Sequence, residues 1–438
     1  VSAAAIALVV TLLLLLLSSA PVAIALGLTV FAYFYYFTTL PLTQVPDTLF
    51  NALNSFPLMA VPFFVLAANI MSQGGISRRL IDAANSAVGE FRGGLAMTAV
   101  ISCMFFAAIS GSSPATVVAV GTLLIPSMIR NGYSREFSTG TIATSGSLGI
   151  LIPPSIPLIV YGIVTEQSIG DLFVAGVLPG IMAGLMLLGL VIVISRRRGY
   201  GAAQGEGGDG PRMTWGGRLR AFRDAALSLL LPLFVLGGIY GGIFTPTEAA
   251  GAAVFYALLV SLLVYREIGI RDLPGIFLKS ARTGAMVMFI IANGILFSFV
   301  LTSERIPDSV ASLFISLDLD KWAFLLVVNL VLLIAGCFME TSSAILILAP
   351  IFLPVAMELG VDPIHFGIIM VMNLEIGMIT PPLGLNLFVA SGMSGMSVLR
   401  VAKAAIPSAL VLLLALFIVT YVPEIALAFL ETADTRGG

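Results

Sequence analysis

Leu151-Ile152-Pro153-Pro154-Ser155 interrupts an apolar run, and Thr380-Pro381-Pro382-Leu383-Gly384-Leu385-Asn386 interrupts another, with the two proline pairs 228 residues apart. The match extends outward. Pro126, Gly132 and Pro179 recur at the same offset as Pro354, Gly360 and Pro407. Upstream, Ser110-Gly111-Ser112-Ser113-Pro114 aligns with Glu340-Thr341-Ser342-Ser343-Ala344 at an offset of 230, so a two-residue indel separates these patches from the rest. Duplicated halves with broken apolar helices are the sequence pattern of a secondary transporter.

Composition sets the solvent. Of 438 residues 59% are hydrophobic and 10% charged, too few polar residues to cover a water-soluble globule. The chain reads as an integral membrane protein. Its apolar runs are about 20 residues long, helical rather than barrel-strand length, so the fold class is all-α. Cys103 and Cys337 lie in apolar runs away from any histidine, which argues against a disulfide or a metal site. His365, the single histidine, follows Asp362-Pro363 and reads as an exposed residue at a helix boundary. The run Ser2–Ala20 lacks a basic leader and reads as the first membrane span rather than a signal peptide.

Charge orients the spans. Scaffold helices occupy 1–75, and the basic stretch that follows, with Arg78, Arg79 and Arg92, is cytoplasmic by the positive-inside rule. Counting back three spans puts the N-terminus in the periplasm. The first set of transport elements fills 76–195: a hairpin at 94–129 and a broken helix at 137–165. Each arm of the hairpin has roughly 15 residues, about 22 Å, short of a hydrocarbon core about 30 Å thick, so the hairpin is re-entrant. Residues 196–223 form a Gly- and Arg-rich cytoplasmic linker, with an amphipathic interfacial helix around Trp215, Arg218, Arg220, Phe222 and Arg223. Scaffold helices resume at 224–301. The second set fills 302–422, with a hairpin at 322–357 and a broken helix at 364–393, and a periplasmic tail covers 423–438. Acids Glu304, Asp308, Asp318, Asp320, Glu358 and Asp362 flank the second hairpin, whereas arginines flank the first. The two repeats therefore have inverted topology. Of the 21 basic residues, all but Arg305, Lys321 and Arg436 then face the cytoplasm.

The four breaks carry the chemistry. Unpaired backbone groups in hydrocarbon cost several kcal/mol each (on the order of 2–7), so breaks persist only where protein, water or a ligand meets them. Ser113-Pro114 and the two Pro-Pro pairs suggest the starts of new half-helices. Such starts carry about half a positive charge and free N–H donors, which suits a carboxylate. No Lys or Arg lies in any break. Carbonyls at the opposite half-helix ends, with hydroxyls of Ser110, Ser112, Thr341, Ser342 and Thr380, are hard oxygen ligands for a small cation, naturally sodium. Duplication gives two such sites, one joining Ser110–Ser113 to Ser145–Gly149, the other Thr341–Ser343 to Gly377–Pro382. The competing reading is that these small residues simply let helices pack closely. Glu340 and Glu375 are the only acids within the breaks. Glu340 reads equally as a cation ligand, a proton-coupled group or a tip residue facing water. Glu248, after Pro246-Thr247, reads as a helix cap.

Ser-Gly-Ser-Ser-Pro-Ala-Thr (110–116), Leu-Ile-Pro-Pro-Ser (151–155), Glu-Thr-Ser-Ser-Ala (340–344) and Thr-Pro-Pro-Leu-Gly-Leu-Asn (380–386) together resemble the large membrane subunit of tripartite ATP-independent periplasmic (TRAP) transporters, the DctM-like M subunit of the ion transporter superfamily. The resemblance covers nearly the whole chain. It implies a sodium-coupled importer in a bacterial inner membrane, with about two sodium ions and an elevator movement of hairpins and broken helices against the scaffold. It further implies an organic acid substrate, such as a C4-dicarboxylate or a sialic or sugar acid, delivered by a periplasmic substrate-binding protein. A separate small four-helix membrane subunit is expected, because the N-terminal part is too short to hold four extra spans. Carried onto this chain, sodium ligands fall on Ser110, Gly111, Ser112, Ser145, Gly149, Glu340, Thr341, Ser342, Gly377 and Thr380. Substrate contacts fall on Ser113, Pro154, Ser155, Ser343, Pro382 and Asn386. The alternative is a stand-alone sodium–dicarboxylate symporter or antiporter of the same superfamily. An intramembrane enzyme is disfavoured, since no Ser/His, paired-Asp or His-Glu-x-x-His set is present.

Inversion makes a direct prediction. Single cysteines replacing Asn131 and Gly360 should react with an impermeant thiol reagent from opposite faces of the membrane, and same-side labelling would refute it.

Overall fold

A computed structural model of the chain describes residues 3–18, 20–38, 41–200, 214–316 and 320–434. Residues 201–213 of the expected linker lie outside the described residues. The first half contains α1 (Ala3–Leu17), α2 (Val22–Tyr36), α3 (Gln44–Leu53), α4 (Ala60–Gln73), α5 (Ile76–Val88), α6 (Gly94–Ser110), α7 (Ser113–Arg130), α8 (Arg135–Leu148), α9 (Ile156–Val164) and α10 (Ile169–Arg198). The second contains α11 (Trp215–Tyr240), α12 (Pro246–Leu259), α13 (Leu273–Ser303), α14 (Ile306–Ser316), α15 (Lys321–Phe338), α16 (Thr341–Glu358), α17 (Pro363–Gly377), α18 (Leu385–Ser394), α19 (Val398–Tyr421) and α20 (Glu424–Asp434). Among the described residues nine helices are long and apolar enough to cross a membrane, and α8 and α9, bent by 43° at their break, make a tenth if taken as one span. The all-α membrane class follows from these lengths.

The order of elements recurs. The hairpin α6–α7 and broken helix α8–α9 in the first half correspond to α15–α16 and α17–α18 in the second. Gly132 and Gly360, paired by the 228-residue offset, leave their hairpins with φ of 86° and 74°, a conformation that favours glycine. The halves interlock: α16 packs on α9, and α18 packs on α7 and α8. Outside this block α4 lies against α12 and α13, and α2 against α1 and α13.

Three expectations are corrected. Neither Pro-Pro pair opens a helix; α9 begins at Ile156 behind the Ser155 cap and α18 at Leu385 behind Gly384, because each pair sits in the non-helical stretch upstream. The interfacial helix is not separate. Nothing in its sequence breaks the ladder before Pro232, so Trp215 to Tyr240 is one helix capped by Thr214. Within the expected tail 424–434 forms α20, which buries Ala426 and packs on α10, and residues 435–438 lie outside the described residues. His365 is buried, 1% exposed, because α19 runs past the start of α17 and the ring Nε2 meets the Val419 carbonyl at 2.8 Å. Glu248 caps α12 as expected, in a reciprocal capping box with Thr245.

Close packing explains two of the duplicated glycines. A Cβ at Gly149 would lie 1.9 Å from Ala107 Cβ, and one at Gly377 would lie 2.5 Å from Gly336 Cα. Each broken helix therefore touches the first arm of its own hairpin nearly backbone to backbone. The small-residue reading thus holds for these positions, whatever else they do.

Gly377→Ala should cost about 1–3 kcal/mol through overpacking. Gly251→Ala, on α12 where a methyl meets nothing within 4 Å, is expected to be neutral or to stabilise by about 0.5–1 kcal/mol. Thermal unfolding of the purified variants in detergent tests both.

Candidate functional site

The site is built from helix ends. α6 ends at Ser110 with Gly111 in the left-handed region, φ 60°, and α7 restarts at Ser113 with Pro114 in its first turn. The tip is knotted by short bonds: Ser110 Oγ pairs with Thr116 Oγ1 at 3.0 Å, and Thr116 Oγ1 donates to the Ser112 carbonyl at 2.8 Å. In the second tip a carboxylate caps the restart. Glu340 Oε2 accepts from the Ser343 N–H at 3.2 Å, and Glu340 Oε1 accepts from Ser342 Oγ at 3.0 Å. Of the three roles open to Glu340, its geometry adds a fourth, that of an N-cap at the positive end of α16.

A single buried network joins both halves. Asn386 Nδ2, at the start of α18, donates to Ser113 Oγ on α7 and to Ser147 Oγ on α8, the latter at 2.7 Å. Across from them Thr341 Oγ1, at the start of α16, donates to Glu375 Oε1 on α17 at 2.7 Å. The Ser113 hydroxyl stands beside the Glu375 carboxyl and links the two sets. Both hairpins and both broken helices thus contribute a polar side chain to one centre. All five residues are buried: Ser113, Thr341 and Asn386 do not exceed 0% exposure, and Ser147 and Glu375 reach 2%.

The centre has spare acceptors. Glu375 Oε2 and Asn386 Oδ1 are buried without a hydrogen-bond partner, and so is Ser145 Oγ, on α8 outside the network. Orphaned polar atoms are uncommon in protein interiors and call for a donor or an ion. Hard oxygens of this kind suit a small alkali cation rather than a soft metal. Among the expected sodium ligands, Thr341 lies within the network, Ser145 lies on α8 two residues from Ser147, and Gly149 and Gly377 line the adjoining gaps. Thr380 Oγ1 instead bonds back to the Ile376 carbonyl at 2.8 Å.

The expected substrate residues are not all placed alike. Ser113 and Asn386 are in direct contact. Ser155 spends its hydroxyl on the Leu158 N–H at 3.4 Å, and the Ser343 N–H is taken by Glu340. Pro154 is buried in the first gap, whereas Pro382 is exposed in the second. Gly384 fastens that second gap, its N–H donating to the Cys337 carbonyl at 3.0 Å.

Ser147 falls inside the stretch Ser145–Gly149 expected for the first cation site, and Glu375 is one of the two acids expected in the breaks, but neither was named as a ligand. A signal was present: 375 less 228 is 147, so the two occupy equivalent positions in the duplication. A second polar ladder also went unread. Asn373 Nδ2 donates to Asn329 Oδ1 at 2.6 Å, and Asn329 Nδ2 to Thr420 Oγ1 at 3.1 Å, binding α17, α15 and α19 together.

Interrupted helices whose ends meet around a buried polar centre, inside a bundle of membrane-crossing helices, define a multi-pass membrane transport protein. The family described as "Tripartite ATP-independent periplasmic transporter, DctM component" matches residues 9–425, and the chain belongs to it. It is similar to the C4-dicarboxylate TRAP transporter large permease protein DctM of Pseudomonas aeruginosa, 52% identical over 380 residues, or 87% of each chain. It is also similar to the isethionate TRAP transporter permease protein DctMQ of Oleidesulfovibrio alaskensis, 44% identical over 391 residues, covering 89% of this chain and 61% of that one. Among solved structures the Alcanivorax borkumensis YdaH transporter covers 96% of this chain and 98% of its own at a TM-score of 0.59. At 18% identity that likeness shows the fold alone. The chain is accordingly a TRAP transporter large permease, a multi-pass protein of a bacterial membrane.

Thr341→Val keeps the shape of the side chain but strips Glu375 of its hydroxyl donor. It should lower stability by about 1–3 kcal/mol and reduce uptake in reconstituted vesicles at least tenfold. Unchanged unfolding and uptake would show that the network is not the working centre.

Proposed function

We propose that this chain is the permease of a sodium-coupled importer of organic acids of the C4-dicarboxylate class, working with a periplasmic substrate-binding protein and a small membrane subunit. The observation that carries this reading is the network of Ser113, Ser147, Thr341, Glu375 and Asn386. It gathers all four interrupted elements around donors, spare acceptors and no lysine or arginine. The half-helix start at Ser113 places the positive end of α7 at this region, which suits a carboxylate, while the spare oxygens suit sodium. Similarity to the Pseudomonas permease supports the dicarboxylate class, and similarity to DctMQ supports a small partner subunit.

The packing supports an elevator. Residues 76–195 and 302–422 interlock through α16 on α9 and α18 on α7 and α8, as a body that moves together would. Residues 1–75 and 224–301 would then be the scaffold, with the two repeats inverted across the membrane. Under this reading both chain termini face the periplasm.

Uptake of radiolabelled succinate into proteoliposomes containing both membrane subunits and the soluble binding protein provides the test. Replacing sodium by potassium at fixed voltage should abolish uptake, and equal uptake in potassium would sink sodium coupling. Uptake that persists without the binding protein would favour a stand-alone symporter instead.

A further inference from the structure

The two halves of the centre carry unequal charge. At equivalent positions of the duplication the first half has Ser147 and Ser110 where the second has Glu375 and Glu340. Glu340 is half-buried and is engaged by the start of α16. Glu375 is a different case. It is 2% exposed, its Oε1 accepts one hydroxyl bond from Thr341, and its Oε2 has no partner. Among the described residues no lysine or arginine pairs with it. The Glu340 carboxyl, also close enough to act on it, is of the same sign. An ionised carboxylate without a counter-charge in such surroundings is expensive, and the hydroxyls of Thr341 and Ser113 do not offset it in full. Asn386 Oδ1, on α18 of the second half and also buried and unpartnered, adds a neutral oxygen.

We propose that Glu375 supplies the negative charge that holds the coupling cation of the second half, with Thr341 Oγ1 beside it as a neutral ligand, so that the two cation sites are inequivalent. The ligand class is a small monovalent alkali cation. One positive charge neutralises one carboxylate, and the remaining ligands are hard neutral oxygens. The first-half site, with Ser147 in place of the acid, has only neutral oxygens and holds its cation more weakly. Glu375 then does work that Glu340 cannot, because Glu340 is already committed to the end of α16. This inference rests on the sodium-coupled reading above.

The test is the melting temperature of the purified full-length chain as sodium chloride replaces choline chloride at constant ionic strength, with lithium and potassium series alongside. A cation that binds only the folded state raises the transition saturably. The wild-type chain is expected to show a sodium-specific rise. Glu375→Gln, nearly the same shape without the charge, should raise the half-saturating sodium concentration about tenfold or more, the loss of one charge-assisted contact. Glu375→Asp keeps the charge and withdraws it by one methylene, so it should retain the response with a several-fold shift. It serves in place of Glu375→Gln if that variant does not fold. A wild-type response that is unchanged in both variants overturns the inference and leaves sodium coupling standing. A wild-type chain that responds to none of the three cations overturns both.

Discussion

Backbone polar groups in hydrocarbon must find partners, and this chain interrupts four helices where water is scarce. Everything else in the structure answers that constraint. The orphaned groups at the tips are met by Glu340, by Ser110 with Thr116, and by the Gly384 N–H reaching the Cys337 carbonyl. What these contacts leave over is a small set of donors and acceptors gathered at one buried centre. A continuous helix has no such surplus, which is why transport chemistry is built at breaks.

Much of the fold was legible because duplication and hydropathy are properties of the chain itself. The offset that pairs Gly132 with Gly360 located both hairpin exits, where the structure has both residues at positive φ. Ser113, Thr341 and Asn386 were recognisable as polar residues beside breaks. Their partners were not, since contact between Asn386 and Ser147, 239 residues apart, depends on how α18 packs against α8. Ser147 lay within the stretch Ser145–Gly149 expected for a cation site, but nothing in the chain singled it out from its neighbours. His365 misled for a related reason: a residue at a helix start reads as exposed until another helix is known to cover it.

Proline pairs were informative about where helices stop and less so about where they resume. Proline suits a first helical turn, but here the resuming helices use Ser155 with Pro157, and Gly384. The chain gains several extended residues at each break in this way. Those residues make the two gaps unequal, since Pro153 and Pro154 are buried while Pro381, Pro382 and Leu383 are exposed.

Gly336 and Gly377 meet with no side chain between them. A side chain at a contact acts as a spring, because rotamers let it yield while neighbours slide. Bare backbone has no such travel, and its polar groups are already bound within their own helices. The joint between α15 and α17 therefore behaves as a weld, and at the equivalent joint of Gly149 only the Ala107 methyl intervenes. A displacement of either hairpin that preserved this contact would carry its broken helix with it.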